Sequence, residues 1–257
     1  MAAAVVLSLC LTSAPQSHAV NYAAVLFAGD YPGPPAFDDH LSISRDAFAA
    51  NLATWPNWTR GAGGNIVELA GNTTAQQYLD AITPYTAGGA KALGNGDFFM
   101  LFYFGHGTFS ANDGLGNPAS ESVPPAYNIW EEGLYFPDGS VISDNALTAK
   151  FKTFAPGVFK VFVNISCFSG GFWNGNNPGG IGDLEQVPHT LLMASSIEPL
   201  STMTGNLPPR TWEPLYLRNL ILNLARNGRL NMTLAQWHYR SFVPGTVTGF
   251  LRHSNDG

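Results

Sequence analysis

Two apolar segments of the sequence each end on a residue that can take part in acyl transfer. The first, FFMLFYFGHG, reaches His106, and the second, VFVNISCFSGG, reaches Cys167. A cysteine attacks a carbonyl carbon as its thiolate, which near neutral pH requires a neighbouring base or positive charge. Histidine suits that role because its side chain titrates near physiological pH. His106 and Cys167 are therefore candidates for a general base and its nucleophile.

Glycines follow both candidate residues. Gly107, directly after the histidine, would let a backbone N–H approach a substrate, and the amide of Cys167 can point to the same place. Together these two amides would form an oxyanion hole, which is often the largest electrostatic contribution to acyl transfer. The Ser-Gly-Gly segment at 169–171 would let the chain turn sharply and would leave the sulfur uncovered.

Each of these residues also has a structural interpretation when it is taken alone. Histidines at strand ends are commonly hydrogen-bonded structural groups, and an unpaired cysteine is commonly a small buried apolar residue. The joint pattern of His-Gly and Cys-x-Ser-Gly after two apolar segments favours the functional interpretation. A zinc site is not predicted, because one Cys and one His lack the spacing of zinc ligands, and no metal or cofactor is expected. Structural or surface positions are expected for the remaining histidines, His40, His189, His238 and His253.

The elements that carry these residues alternate between strands and helices. Apolar runs predict strands at 23–31, 64–71, 97–105, 159–166 and 190–197. Apolar spacing predicts helices at 44–55, 73–85, 143–154, 213–228 and 233–242, with a hairpin at 133–142. Such alternation predicts a three-layer α/β fold, with a mainly parallel central sheet and helices on both faces. His106 and Cys167 would then face each other across about 5 Å at the carboxyl edge of the sheet, where such sheets bind ligands.

Size and composition limit the class of protein. With 257 residues the chain is long enough for one sizeable core, and a single domain over 20–257 is predicted. Charged residues make up 12% of the chain, about half of the usual share of roughly 25%. The net charge of −6 argues against nucleic acid or an acidic membrane as the main partner. A protein or peptide substrate is the expected partner, and the oligomeric state stays open.

Residues 1–19 have the pattern of a secretory signal peptide. The apolar run at 2–11 is too short to span a bilayer, and the small residues Ser17 and Ala19 occupy the positions that a signal peptidase recognises. The pattern predicts a secreted or periplasmic protein without a membrane span. Removal of this segment would leave Cys167 as the only cysteine, so its thiol would have no intramolecular disulfide partner.

Several segments resemble the caspase-like cysteine peptidases, which include caspases, metacaspases and the legumain branch. YFGHG at 103–107 and SCFSGG at 166–171 resemble the histidine and cysteine motifs of metacaspases. GLYFPDGSVISDNAL at 133–147 resembles the segment between those motifs, and its YFPD is also similar to legumains. AVLFAGDY with SRDAFAANL resembles the first strand and helix, so that the similarity covers 22–197 in a consistent order.

This resemblance implies a caspase-like fold and a cysteine endopeptidase that hydrolyses peptide bonds through an acyl-enzyme, and the signal-peptide pattern implies that it is secreted. It implies a Cys-His dyad made of Cys167 and His106, with the amide of Gly107 as an oxyanion donor. Two alternatives stay open. One is a catalytically inactive caspase-like binding module, and the other is a transpeptidase or ligase that uses the same dyad, as some legumain relatives do.

The resemblance also indicates where the substrate would bind. Metacaspases and legumains carry an acidic residue two places before the nucleophile, and that place is Ile165 here. A second acidic position of metacaspases, on the first helix, matches Asp46, and this single carboxylate would favour Lys or Arg before the cut. A solvated helix residue explains Asp46 equally well. Ser195 and Ser196, after the next strand, would border the same pocket.

Overall fold

The computed structural model describes residues 19–31, 39–110, 131–167, 169–173, 184–196, 215–227, Ser241 and 250–253. Its strands are β1 (Tyr22–Ala28), β2 (Asp30–Tyr31), β3 (Asp39–His40), β4 (Ile66–Glu68), β5 (Phe98–Phe104), β6 (His106–Ser110), β7 (Glu131–Tyr135), β8 (Val141–Ser143), β9 (Phe159–Ile165), β10 (Thr190–Ala194) and β11 (Phe250–His253). Its α-helices are α1 (Ser42–Leu52), α2 (Ala75–Ile82), α3 (Asp144–Phe151) and α4 (Leu215–Asn227). The predicted signal peptide apart from Ala19, and the predicted helix at 233–242 apart from Ser241, lie outside the described residues.

Six strands form the central sheet in the order β11-β10-β9-β5-β1-β4. The pairs that join β4, β1, β5, β9 and β10 are parallel, whereas β11 runs antiparallel to β10. The predicted mainly parallel sheet is therefore confirmed, and each of the five predicted strand segments supplies one of the parallel strands. The antiparallel strand β11 is an addition that the apolar pattern did not indicate.

Helices cover both faces of this sheet. On β5, the central strand, Leu101 belongs to one apolar core with residues of α2 and α3. The next residue, Phe102, belongs to the opposite core with residues of α1 and α4. Both side chains are fully buried, and burial of a side chain of this kind contributes about 1.5–3 kcal/mol. Burial on both faces explains why the strand is a continuous apolar run, and it confirms the predicted three layers.

Local polar groups set where α2 and α3 begin. The hydroxyl of Thr74 accepts the N–H of Gln77, and the Gln77 side chain accepts the N–H of Thr74, which makes a capping box at the start of α2. The hydroxyl of Ser143 accepts the N–H of Ala146 at the start of α3. Each bond satisfies an N–H that has no partner within its own helix.

α1 begins at the carboxyl edge of the sheet. Its first N–H, from Ser42, donates to the carboxylate of Asp30 at 3.1 Å, directly beyond β1. Arg45, one turn into the helix, donates to the carbonyl oxygen of Leu69, directly beyond β4. These two contacts fix the start of α1 above β1 and β4. In the described part of the chain, no helix combines the length and the apolar character needed to cross a membrane.

A small antiparallel sheet of β6, β7 and β8 stands beyond the carboxyl end of β5. It contains the predicted hairpin, which turns through Gly139 at a φ of 86°, a conformation that glycine adopts without strain. Leu134 of β7 and Ile142 of β8 lie opposite each other on its buried face. β6 was not predicted, and it starts at His106 itself.

Candidate active site

His106 and Cys167 lie level with each other at the same edge of the central sheet. β5 and β9 pair in parallel register up to Phe104 and Ile165, and the N–H of Gly105 extends the ladder with a bond of 3.1 Å to the carbonyl of Ile165. Each candidate residue follows two positions beyond that last pair. Because neighbouring strands are about 4.8 Å apart, the register brings the two residues to adjacent strand ends. His106 is exposed and Cys167 is partly exposed, so solvent reaches both.

Gly107 packs directly against the backbone of Cys167. A Cβ atom at position 107 would overlap the carbonyl oxygen of Cys167 and would lie 3.1 Å from its amide nitrogen. Only glycine therefore fits at position 107, where β6 contacts the turn that carries Cys167. The contact also brings the backbones of the two residues together.

Two tyrosines, which we call the phenol pair, hold the backbone of His106. The pair consists of Tyr31 on β2 and Tyr103 on β5, whose hydroxyl oxygens are 3.1 Å apart. The oxygen of Tyr31 accepts the N–H of His106 at 3.2 Å, and the hydroxyl of Tyr103 lies 2.9 Å from the carbonyl oxygen of His106, to which it can donate. The amide and the carbonyl of His106 are thus both fixed by buried phenols.

The phenol pair also orients the imidazole and ties it to β7. The ring of Tyr31 meets the ring of His106 edge-on, with centroids 4.4 Å apart. Both phenol oxygens lie within hydrogen-bond distance of the carbonyl of Tyr135, at 2.5 Å from Tyr31 and 2.6 Å from Tyr103. Burial, with the nearby Tyr31 as a further cause, raises the pKa of Tyr103 well above its usual range. Tyr103 therefore stays neutral and remains a hydrogen-bond donor.

Four buried serines, which we call the serine cluster, lie beneath the turn that carries Cys167. They are Ser166 and Ser169 on either side of the cysteine and Ser195 and Ser196 after β10, and each is at most 1% exposed. The hydroxyls of Ser195 and Ser196 donate to the carbonyl of Ser166 at 3.2 and 3.1 Å. Ser169 and Ser196 exchange two bonds, each backbone N–H donating to the other hydroxyl at 3.0–3.1 Å. The serine cluster therefore ties the turn that carries Cys167 to the end of β10.

A buried carboxylate meets the same turn from the other side. Glu132 of β7 is 2% exposed, and a Cβ atom at Gly171 would overlap its carboxyl group. The small sheet that carries His106 is therefore packed against the turn that follows Cys167. The sequence motifs did not indicate Glu132, Tyr31 or Tyr103, although Tyr31 ends the segment AVLFAGDY and Tyr103 lies within the segment FFMLFYFGHG.

Two of the predicted substrate-binding residues, Ser195 and Ile165, are buried. Ser195 is fully buried within the serine cluster, beneath the turn that carries Cys167. Ile165 is also fully buried, in the apolar core that α1 and α4 share. Neither side chain has solvent access.

The contacts of Asp46 run to arginines. It lies on α1 with half of its side chain exposed, 2.6 Å from Arg45 and 4.0 Å from Arg60. Arg60 also pairs with Glu68 of β4 at 2.6 Å, which raises the pKa of the guanidinium.

The described residues contain no group of three or more His, Cys, Asp or Glu side chains arranged to hold a metal ion. Among them, Cys167 is the one cysteine, and its thiol is free.

Comparisons with known proteins support the fold. No protein-family model matches the chain, and no curated protein sequence matches it significantly. The crystal structure of protein GSU0716 from Geobacter sulfurreducens is similar with a TM-score of 0.61 and 20% identity, over 92% of this chain and 95% of that one. The Drosophila initiator caspase Dronc gives a TM-score of 0.45 and 15% identity, over 91% and 79%. The chain shares the fold of the Geobacter protein almost from end to end.

Proposed function

We propose that this chain is a secreted cysteine endopeptidase of the caspase-like type. The observation that carries the proposal is the level placement of His106 and Cys167 at adjacent parallel strand ends, with Gly107 against the cysteine backbone. The resemblance of the YFGHG and SCFSGG segments to metacaspase motifs supports the same chemistry. Parallel α/β sheets bind their ligands at this edge.

In the first half of the proposed reaction, His106 takes the proton from the thiol of Cys167 and the sulfur attacks the scissile carbonyl carbon. The N–H groups of Gly107 and Cys167 donate to the oxyanion of the tetrahedral intermediate. The imidazolium of His106 then gives its proton to the leaving amine as the C–N bond breaks. The products of this half are an amine and a thioester on Cys167.

In the second half, His106 takes a proton from water, and the resulting hydroxide attacks the thioester. Collapse of the second intermediate releases the carboxylic acid, and the proton returns from His106 to the sulfur. The phenol pair and the serine cluster keep both backbones in place through the cycle. Fixed geometry of this kind supplies much of the acceleration in acyl transfer.

A basic residue before the cut is the finer part of the proposal, and Asp46 is its candidate carrier. The carboxylate would have to exchange Arg45 and Arg60 for the substrate cation. Exposed ion pairs contribute about 0–1 kcal/mol, so this exchange costs little free energy, and the resulting preference for a basic residue is weak. We expect Asp46→Asn to lower the ratio of kcat/KM for Arg over Gln before the cut by about fivefold at most.

Cleavage of a peptide library by the chain from residue 20 onward tests the proposal. Cys167→Ala and His106→Ala should each abolish cleavage, while the exposed Lys152→Ala should cleave as the wild type does. Thermal unfolding of all four proteins separates loss of chemistry from loss of the fold. Cleavage that survives Cys167→Ala at the wild-type rate would refute the assignment. Secretion predicts that the exported protein begins at Val20, which N-terminal sequencing determines.

One observation favours a second candidate, a binding module that keeps the fold without cleavage. At position 165, where metacaspases and legumains carry an acid, the chain has a fully buried isoleucine. Alkylation by iodoacetamide at pH 7 distinguishes the two candidates, because a thiol activated by His106 reacts faster than the same thiol in His106→Ala. Equal alkylation rates would favour the binding module. A transpeptidase using the same thioester would instead yield a product extended by an added amine, which mass analysis detects.

A further inference from the structure

A row of exposed side chains leads away from His106 across the small sheet. The register places His106 opposite Tyr135, and Tyr135 opposite Val141. Residues directly opposite each other in antiparallel strands project from the same face, about 4.5–5.5 Å apart. His106 is exposed, and Tyr135 and Val141 are 37% and 48% exposed. The three side chains therefore share one solvent-facing row.

The exposure of this row is specific to one face of the sheet. The intervening residues Leu134 and Ile142 are 0% and 2% exposed, because their face packs on the core. Few large apolar side chains are exposed in the described part of the chain, yet two of them stand side by side here. An apolar surface beside a reactive group is typical of a binding site.

Gly133 extends the apolar surface next to the row. A Cβ atom at Gly133 would lie 2.6 Å from a methyl carbon of Val141 and 3.1 Å from the methyl carbon of Thr108. Both methyl groups thus cover the glycine on the same face as Tyr135. We call the surface made by Tyr135, Val141 and the Thr108 methyl group the leaving-side patch.

The chemistry of the proposed function determines which part of a substrate meets this patch. His106 has to protonate the leaving amine, so the nitrogen of the scissile bond must lie within hydrogen-bond distance of the imidazole. The residue that carries this nitrogen is the one directly after the cut. Its side chain begins beside His106, and the next positions along the row are Tyr135 and Val141.

We propose that the leaving-side patch is a subsite for an apolar side chain on the residue directly after the scissile bond. This inference rests on the proposed peptidase function and adds a substrate class to it. The patch supplies an aromatic ring and two aliphatic groups, so Leu, Met or Phe would be favoured over Ser or Asp. Removal of apolar surface from water gives this preference.

Pairs of peptides test the subsite. The two peptides of a pair share a sequence that the wild type cleaves and differ only after the cut, with Leu in one and Ser in the other. We expect kcat/KM to favour Leu by about tenfold in the wild type, and Tyr135→Ala or Val141→Thr to reduce that ratio to about threefold or less. Tyr135→Phe is the matched control, because it keeps the ring, and it should keep the ratio.

A second measurement confines the effect to the leaving group. A peptide methyl ester has no residue after the cut, so its kcat/KM should be the same in wild type and Val141→Thr. An unchanged Leu/Ser ratio in both Tyr135→Ala and Val141→Thr, with cleavage intact, would overturn the subsite alone. A change in selectivity for the residue before the cut would also overturn it. Absence of cleavage by the wild type, or its persistence in Cys167→Ala, would instead refute the peptidase function.

Discussion

On the histidine side of the site, two phenols hold the backbone of His106 and one of them also contacts its ring. On the cysteine side, serine hydroxyls hold the turn around Cys167, and the hydrogen bonds described there run to backbone groups and to one another. His106 is therefore fixed in both position and orientation, while Cys167 is fixed through its backbone. In the proposed reaction, this difference suits a sulfur that moves between a free and an acylated state and an imidazole that serves both.

Gly107→Ala should have the largest effect, because it disturbs the junction between the two sides. The added methyl group would overlap the Cys167 carbonyl, which is backbone and cannot move aside cheaply. We expect kcat/KM to fall by about 10²–10³-fold, the usual cost of losing one oxyanion donor, or by more. Gly94→Ala is the matched control, since its new methyl group would meet one atom at 3.8 Å. Equal activity of the two variants would show that the junction is not required.

Ser169→Ala tests the cysteine side. The substitution leaves the buried N–H of Ser196 without its acceptor, which costs about 1–3 kcal/mol of unfolding free energy. Thr54→Ala is the control, because the Thr54 hydroxyl also donates to a backbone carbonyl but is exposed, and its loss should change stability by less than about 0.5 kcal/mol. Denaturant unfolding measures both. Equal losses would mean that burial of the serine cluster contributes nothing to the free energy of unfolding.

Alkaline pH tests the histidine side. The raised pKa of Tyr103 favours the neutral phenol in the folded state, whereas an unfolded tyrosine ionises near pH 10. This contribution to stability is complete below about pH 10 and is lost as the pH rises toward the folded pKa, by at most about 1.4 kcal/mol per pH unit. Unfolding measured from pH 9 to 11 should show a shallower decline in Tyr103→Phe than in the wild type. Parallel curves would contradict a raised pKa of Tyr103 in the folded protein.

Tyr31→Phe should have the smallest effect on stability. It removes the acceptor of the His106 N–H but keeps the ring that packs on the imidazole. We expect a loss of about 1 kcal/mol in unfolding free energy and a decrease in kcat that exceeds any change in KM. Tyr22→Phe is the control, because Tyr22 begins β1 and lies at the amino edge of the central sheet, away from the site. An increase in KM alone would place Tyr31 in substrate binding instead.

The sequence predicted the strands of the central sheet well, because the apolar pattern that identifies a strand lies within one short segment. Continuous apolar runs identified all five parallel strands, and the register of β5 and β9 has the level strand ends that were expected. The burial of Ile165 was also predictable, because Val161 and Val163 lie at alternate positions on the same face of β9. The phenol pair was missed, and Ser195 and Ser196 were expected at the pocket border and not in a hydrogen-bonded cluster, because these bonds join segments 72 and 27 residues apart. Asp46 shows the same limit, since its distant partner Arg60 lies beyond α1.

The bonds that hold the site reach from Tyr31, directly after the first strand of the central sheet, to Ser196, directly after the last of its parallel strands. During synthesis, the turn around Cys167 would emerge before the serines that fix it. A partly made chain would therefore contain the thiol and the imidazole without the support that aligns them. Under the proposed function, such late completion would protect the cell that makes the protein, because cleavage would begin only after β10 has docked beside β9.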